Sequence, residues 1–552
     1  MNYLSIIFNT ILAIYTAIFL LPLNCLAQNN VKENAVFYSV PDAVYNSPWL
    51  VKVNNKLAPI EKAGSFNGAY YVRYQSDNSA KIEVELKEAS NPTLILKPFK
   101  YNPTINKNLI IFDMESCGTA VVTVKDAEKY IWPLIIVKDE PEKFQLSDVA
   151  KVYNIKNYLT GDGVQTSNIQ KALDECYANG GGIVYFPDGI YYTGTIRIKS
   201  NTTLYLANGA LIKASHNPDD FPVDEGRKEH GTHGPVCSFS RVVMFDNADN
   251  SSIRGYGVID GSGDILRNTH NRHIQLMDVT NSKNIVIENV VLRNSAEWTL
   301  HILGCRNVDI SNLKIINDWD VHNTDGIDPD VSSNVYIRNY FGFCGDDAIA
   351  IKTTGNSDIL KPAVNIEVID SLVMTRKTSY KVGTETYADL RNIVFRNCEA
   401  INSARGAGLW MRDGGTMSNV QYINNTYDLY EIRGEGMSGE PVRIVMEQRD
   451  GIGKIENVIF ENVISTAPFR NIIESKTQVP IQDVLFKNCT FTITPRDIKT
   501  EPRYLFELSN AQNIIFDNVT VNWQKANIEV WSGLIKKDDT DTVDISGIKE
   551  EK

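Results

Sequence analysis

The chain has 552 residues, of which 43% are hydrophobic and 22% charged, and carries a net charge of −12 at pH 7. This is a globular composition with room for a large core and two domains. The acidic balance excludes general nucleic-acid binding, which needs a basic surface, and counts weakly against a strongly anionic substrate, because one basic groove can sit on an acidic protein.

Residues 1–27 read as a secretory signal. The apolar run IIFNTILAIYTAIFLLPL leads to Cys25-Leu26-Ala27, a small-residue cleavage site before Gln28. No Lys or Arg precedes the run, which is marginally long enough to span a bilayer, so a membrane anchor is the rival reading. Cys25 alone suggests a lipoprotein, but Pro22-Leu23-Asn24 is a poor lead-in. The expectation is a secreted or periplasmic protein with no stable membrane insertion once the signal is removed. Seven cysteines follow the signal, none in a Cys-x-x-Cys pair. An odd number makes no disulfide framework, and burial as small hydrophobes is expected.

Between residues 30 and 140 short β-like runs (WLVKVNN, GAYYVRYQS, AKIEVELKE, YIWPLIIV) are separated by turn signals. They predict a small β-sandwich. DEPEKF at 139–144 reads as a linker. One helix follows, capped by Thr166 or Ser167, with Ile169, Ala172, Leu173 and Cys176 on one face and a stop at Gly180–Gly182.

From about residue 240 the unit Asn-apolar-x-apolar-x-Asn recurs: NIVIEN at 284, NVDISN at 307, NVYIRN at 334, NIVFRN at 392, NVQYIN at 419, NVIFEN at 457 and NIIFDN at 513, with weaker copies at 365 and 483. Starts are mostly 23 to 31 residues apart and once 38. A short alternating strand at that period means a solenoid, and no helical periodicity lies between copies. The predicted fold is all-β: a right-handed parallel β-helix preceded by a small β-sandwich. Asn at the bends would hydrogen-bond the turn backbone, and the helix would cap the open N-terminal end. The expected divisions are 1–27 signal, 28–143 sandwich, 144–530 β-helix and 531–552 polar tail.

The stretch NTDGIDPDVSSNVYIRNYFGFCGDDAIAIK places Asp325 and Asp346 21 residues apart, with Asp347 adjacent. Successive coils stack roughly 4.8 Å apart, so Asp325 and Asp346 should be neighbours on one face. Ile349 and Ile351 are expected inward, and Asp346, Ala348, Ala350 and Lys352 outward. Strict alternation would bury Asp347 unless a bend at Gly345 frees it. Three acids this close repel, so one should hold a proton near neutral pH. A protonated acid beside an ionised one is what glycoside hydrolysis requires. A calcium site serving a lyase, and a plain structural turn, are the alternatives.

These paired motifs resemble those of glycoside hydrolase family 28, the polygalacturonase family. The resemblance covers roughly residues 150–525 and includes YNIKNYLTGDG, GGGIVYFPDGIYYTG and GYGVIDGSG at 255–263. It implies a pectin-lyase-like β-helix and inverting hydrolysis without metal or cofactor. By motif match Asp346 would be the general acid, while Asp325 and Asp347 would position and deprotonate water. Two departures stand out. Where the family has Gly-His-Gly, this chain has KTSYKVGTET (377–386), with Thr378 at the His position. Where the family grips a uronate with Arg-Ile-Lys, this chain has GLWMRDGG (408–415), with Trp410 and Arg412 at the two cationic positions. That points to a neutral, sulfated or differently linked sugar.

Lys352, Lys381, Glu385, Arg405 and Arg412 are candidates for holding substrate, against the alternative of solvated charges or local ion pairs. Trp298 and Trp410 could stack on sugar rings or pack in the core. His322, three residues before Asp325, could stand in for the missing His or be an ordinary loop residue, and His301 is nearby in sequence. His230 and His233 sit on a long loop without partner ligands for a metal. Loops 216–237 and 264–275 would border the cleft, and closing one end would make the enzyme exo-acting. The expected protein is a monomeric, polysaccharide-degrading hydrolase. The rivals are a calcium-dependent lyase and a carbohydrate-binding protein without catalysis.

Overall fold

The structure is a computed structural model that describes residues 35–87, 92–98, 100–125, 131–148, 150–222, 240–355, 359–429, 439–494, 503–523, 531–538 and 542–551. The signal with Cys25, and Cys237, His230, His233 and most of the 216–237 loop, lie outside the described residues.

Two sheets form the expected sandwich. One is antiparallel and joins Trp49–Val53, Ala80–Leu86 and Leu109–Met114 with two short edge strands. The other joins Tyr70–Gln75, Leu134–Asp139, Gly118–Lys125 and Thr93–Lys97, again with short strands at one side. Alternate residues fill the space between them: Trp49, Val51, Val53, Ile82 and Val84 from one sheet, and Val72, Tyr74, Val122 and Ile136 from the other. The second sheet is buried on both faces, because Tyr71, Val121, Ile135 and Val137 pack outward against the β-helix. This explains why YYVRYQ and LIIVKD lack the polar alternation of a half-exposed strand.

The rest of the chain is a right-handed parallel β-helix of three long sheets with 14, 13 and 12 strands. The sequence repeats all lie in the 14-stranded sheet. The 13-stranded sheet carries Leu211, Val258, Val291, Ile316 and Phe341, against which the sandwich docks. The 12-stranded sheet contributes no residue to these contacts and is called the cleft sheet below.

Both Asn columns of the repeat adopt the left-handed backbone region, for example Asn307 at φ 58° and Asn312 at φ 52°. Asn tolerates that region better than other side chains that carry a Cβ. The amides then bond to one another between coils rather than to the turn backbone as expected. Asn307 Nδ2 donates to Asn284 Oδ1 at 3.0 Å, Asn334 to Asn307 at 3.0 Å and Asn392 to Asn365 at 3.0 Å. Inside, Phe395, Tyr422, Phe460, Phe486 and Phe516 form a continuous stack with centroids 4.9 to 5.0 Å apart. Cys176, Cys305, Cys344, Cys398 and Cys489 are buried free thiols.

Helix α1 (Thr166–Ala178) buries Ile169, Ala172, Leu173 and Cys176 against the first coils. Its cap differs from expectation. The N-cap is Gln165 without a side-chain cap bond, and Thr166 Oγ1 instead accepts the Gly194 N–H at 2.7 Å. The C-terminal segment also differs, since its described residues, 531–538 and 542–551, add a last coil instead of a polar tail. Trp531–Lys536, Val543–Asp544 and Ile548–Glu551 extend the three sheets. Ladder hydrogen bonds to the preceding coil order a segment in which Leu534, Ile535, Val543 and Ile548 are only partly buried and Ile545 is exposed. No helix among the described residues is long and apolar enough to cross a membrane.

Candidate active site

Six successive strands of the cleft sheet carry the site: β1 (Leu300–Leu303), β2 (Ile327–Asp330), β3 (Ile349–Thr353), β4 (Thr378–Thr386), β5 (Arg405–Asp413) and β6 (Glu440–Gly451). Ile327 pairs with Ile349, and Gly326 N–H donates to Asp347 O at 2.9 Å. Asp325 is therefore in register with Asp347, not Asp346. The alternation changes phase just before β3: Ala348 joins Ile349 and Ile351 in the core, contrary to its expected outward position, and this leaves Asp347 on the cleft face. Gly345 serves close approach more than bending. A Cβ there would lie 2.4 Å from Val321 O and 2.6 Å from Thr324 Oγ1.

Asp325, Asp346 and Asp347 converge, with one carboxylate oxygen from each within 4.8 Å of the others. Asp325 and Asp347 are buried, and Asp346 is half-buried. Two lysines divide the cluster. Lys381 Nζ lies 2.6 Å from Asp347 Oδ2, and Thr378 N–H donates to Asp347 Oδ1 at 2.9 Å. Lys352 Nζ lies 3.1 Å from Asp325 Oδ2 and 3.0 Å from Asp328 Oδ1.

The environments pull these acids apart. Burial, then the Asp325 and Asp347 charges, push Asp346 up to about 7. Burial acts the same way on Asp347, but the Lys381 ammonium and the hydrogen bonds from Lys381 and Thr378 outweigh it and hold Asp347 below the ordinary carboxylate range. Burial raises Asp325 against the pull of Lys352, and raises Asp328 well above its usual value. Lys352 works against its own burial, and its acidic neighbours keep it charged.

The aromatic and basic candidates divide along the sheet. Trp298 is 8% exposed, and Lys352 Nζ sits 3.7 Å from its ring centroid, so this indole supports the lysine from beneath. His301 is fully buried between Asp278 and Asp330. His322 is exposed on the rim, and partial burial together with Arg376 and Lys377 lowers its pKa. Glu385 is buried and faces Arg449 at 3.6 Å. Trp410 is half-buried on β5, with the guanidinium carbons of Arg443, Arg405 and Arg412 at 5.1, 5.7 and 5.9 Å from its ring centroid. Arg412 is engaged by Glu447 at 2.8 Å, while Arg405 and Arg443 both bind Glu440 at 2.9 Å.

Sequence reasoning passed over Asp328, Arg443 and Glu447. Asp328 falls within the NTDGID stretch and could have been read there. Arg443 and Glu447 follow a nine-residue stretch outside the described residues and carry no local signal.

Residues 225–494, which hold every residue of this constellation, match the family model described as glycosyl hydrolases family 28. Over those residues, just under half of the chain, this protein is similar to that family. A protein named "Probable polygalacturonase" from Vitis vinifera is 26% identical over 264 residues, 45% of this chain and 54% of that protein. The chain spans about half the length of the curated relatives it matches. Among solved structures, a hyperthermoactive exopolygalacturonase from Thermotoga maritima has a TM-score of 0.56 at 21% identity, covering 67% of this chain and 92% of that one. A family 28 exopolygalacturonase from Yersinia enterocolitica has a TM-score of 0.56 at 16% identity, covering 88% and 99%. At these identities the likeness shows the fold.

In this site Lys381 is the cation on Asp347. Trp410 lies among three arginines, and Arg412 is bound to Glu447.

Proposed function

We propose that the chain is an exported glycoside hydrolase that cuts a pectin-like polysaccharide, with Asp346 as general acid and Asp347, aided by Asp325, as the base that activates water. One observation carries this reading: two adjacent carboxyls are driven in opposite directions, Asp346 up to about 7 and Asp347 below its usual range. Near neutral pH the first has a proton to give to the leaving oxygen while the second can accept one from water. The names of the relatives support the substrate class. The signal-like segment 1–27 supports export.

The resemblance implies inversion. The alternative open to paired carboxyls is retention through a covalent intermediate. Proton NMR of the first-formed reducing end separates the two: the anomer opposite to the substrate linkage supports inversion, and the same anomer supports a covalent route through Asp347 or Asp325.

Lys352 and Lys381 bear on the calcium-lyase alternative. They already occupy one oxygen each of Asp325 and Asp347, whereas Ca²⁺ takes six to eight oxygen ligands. The discriminating assay digests pectin, rhamnogalacturonan, carrageenan and α-glucan panels with and without chelator. New reducing ends, no absorbance near 230 nm and indifference to chelator support hydrolysis. An unsaturated product lost on chelation overturns it. A ladder of oligomers from the start would mark endo action, and release of small products alone would mark exo action.

A further inference from the structure

The turn 318–324, which leads into Asp325, is held from two sides. On one side is the N-terminal sandwich. Asp318 is buried, its Oδ2 accepts the Asn67 N–H at 2.9 Å, and its Oδ1 accepts the Asp320 N–H at 3.0 Å. Trp319 N–H donates to Asn67 O at 3.1 Å, and Gly68 bridges Asp318 in antiparallel fashion. The Trp319 indole is buried with Ala63, Ala69 and Tyr71 of the sandwich.

On the other side is the catalytic cluster. Thr324 Oγ1 donates to Val321 O at 2.8 Å and accepts the Gly345 N–H at 3.1 Å. Asn323 N–H points to Asp346 Oδ2 at 3.3 Å. A Cβ at Gly345 would lie 2.4 Å from Val321 O and 2.9 Å from Asp318 O, so the turn packs directly against the residue that precedes Asp346. The turn has no helix or strand of its own, so contacts such as these hold it in place, together with Trp319 against Phe343 and Arg376 on Asp320.

We propose that the Asn67–Gly68 segment of the sandwich is a positioning element of the active site: it fixes the 318–324 turn, and the turn fixes the carboxyl of Asp346. The N-terminal domain is then part of the catalytic unit and not a tethered module. The proposal rests on the assignment of Asp346 as the general acid. Its physical basis is that catalytic groups must be held within a fraction of an ångström, and displacement by about 1 Å costs on the order of a hundredfold in rate.

The test uses the full chain and four variants. Asp318→Ala removes the acceptor from the turn, and Asn67→Pro removes the donor from a surface loop, where folding is less at stake. Asp318→Asn keeps an oxygen for Asn67. Lys97→Met breaks a different buried interdomain pair, Lys97 with Asp428, that does not touch the turn. Melting temperature, kcat, KM, the pH profile and hydrogen exchange at 318–326 and 345–348 are measured.

Asp318→Ala and Asn67→Pro should lower kcat by roughly ten- to a hundredfold with a smaller change in KM. They should also move the alkaline limb upward, because the Asn323 N–H stabilises ionised Asp346, and speed exchange at 345–348. Asp318→Asn should recover part of the rate. Lys97→Met should lower the melting temperature alone. Unchanged kcat, limb and exchange at 345–348 in both Asp318→Ala and Asn67→Pro would overturn the proposal, leaving only a structural brace. If the wild-type chain cleaves no polysaccharide, the functional reading has failed separately. Exchange then decides this proposal: faster exchange at 345–348 upholds the coupling and equal exchange overturns it.

Discussion

Lys381 Nζ sits 2.6 Å from Asp347 Oδ2, one coil beyond it on the cleft face, and makes Asp347 the strongest acid of the three. Asp346, lacking such a partner, keeps its proton to about 7. Removing that ammonium should therefore change which carboxyl is charged.

Lys381→Met should raise the Asp347 pKa, because burial then acts unopposed. The base must be ionised, so activity is lost as pH falls through this pKa, and the acid limb of kcat/KM should move upward. At the pH optimum the loss should be between about ten- and a thousandfold, with Lys381→Arg losing less. An acid limb that stays in place would remove Lys381 from this role.

Asp346→Asn should lower kcat by about 10²–10⁴-fold and abolish the alkaline limb near 7, while oligosaccharide binding persists. Turnover at the wild-type rate would refute the assigned acid. Binding without turnover in both proteins would favour a carbohydrate-binding function.

The same substitution carries a stability signature that needs no substrate. Folding raises the Asp346 pKa from its ordinary value of 3.8 to about 7, so the folded chain binds this proton more tightly than the unfolded one. Its stability is greatest below the unfolded value and falls as pH rises toward 7. Asp346→Asn should therefore be more stable than wild type at pH 8, by on the order of a few kcal/mol, with the gain vanishing near pH 4. Denaturant midpoints at the two pH values check this, and a gain independent of pH would contradict the shift.

Trp410→Ala should raise KM by roughly three- to tenfold with a smaller effect on kcat, the magnitude of one aromatic stacking contact. An unchanged KM across the polysaccharide panel would mean that the ring only packs among its three arginines.

Asn392 separates two roles of the ladder. It has φ 57°, donates to Asn365 and accepts from Asn419. Asn392→Gly keeps the backbone conformation and loses the amide bonds, worth about 0.5–1.5 kcal/mol each. Asn392→Ala should cost about a further 1–2 kcal/mol, because its Cβ is strained in the left-handed region without a compensating polar contact. Equal unfolding free energies for the two variants would show that the conformation carries no cost.

Much of the fold was legible along the chain. A β-helix coil is a local repeat, so the Asn-apolar-x-apolar-x-Asn unit declares both strand and period, and the sandwich strands announce themselves by turn residues. The last coil was not legible, because Leu534, Ile535, Val543 and Ile548 are only partly buried and the strands are ordered by pairing with a coil already formed. Ala348 was assigned to the wrong face because a shift in strand phase leaves no mark in composition.

The sequence by itself determined the repeat, the three acids and the motifs shared with the family, since each is a matter of residue type and spacing within one or two coils. Only the tertiary structure decided that Asp325 aligns with Asp347, that two lysines divide the acids, that Arg412 is tied to Glu447, and that the sandwich reaches the turn before Asp325. Those outcomes depend on through-space distance and burial, and the partners involved, up to 251 residues apart for Asn67 and Asp318, have no way of signalling one another along the chain.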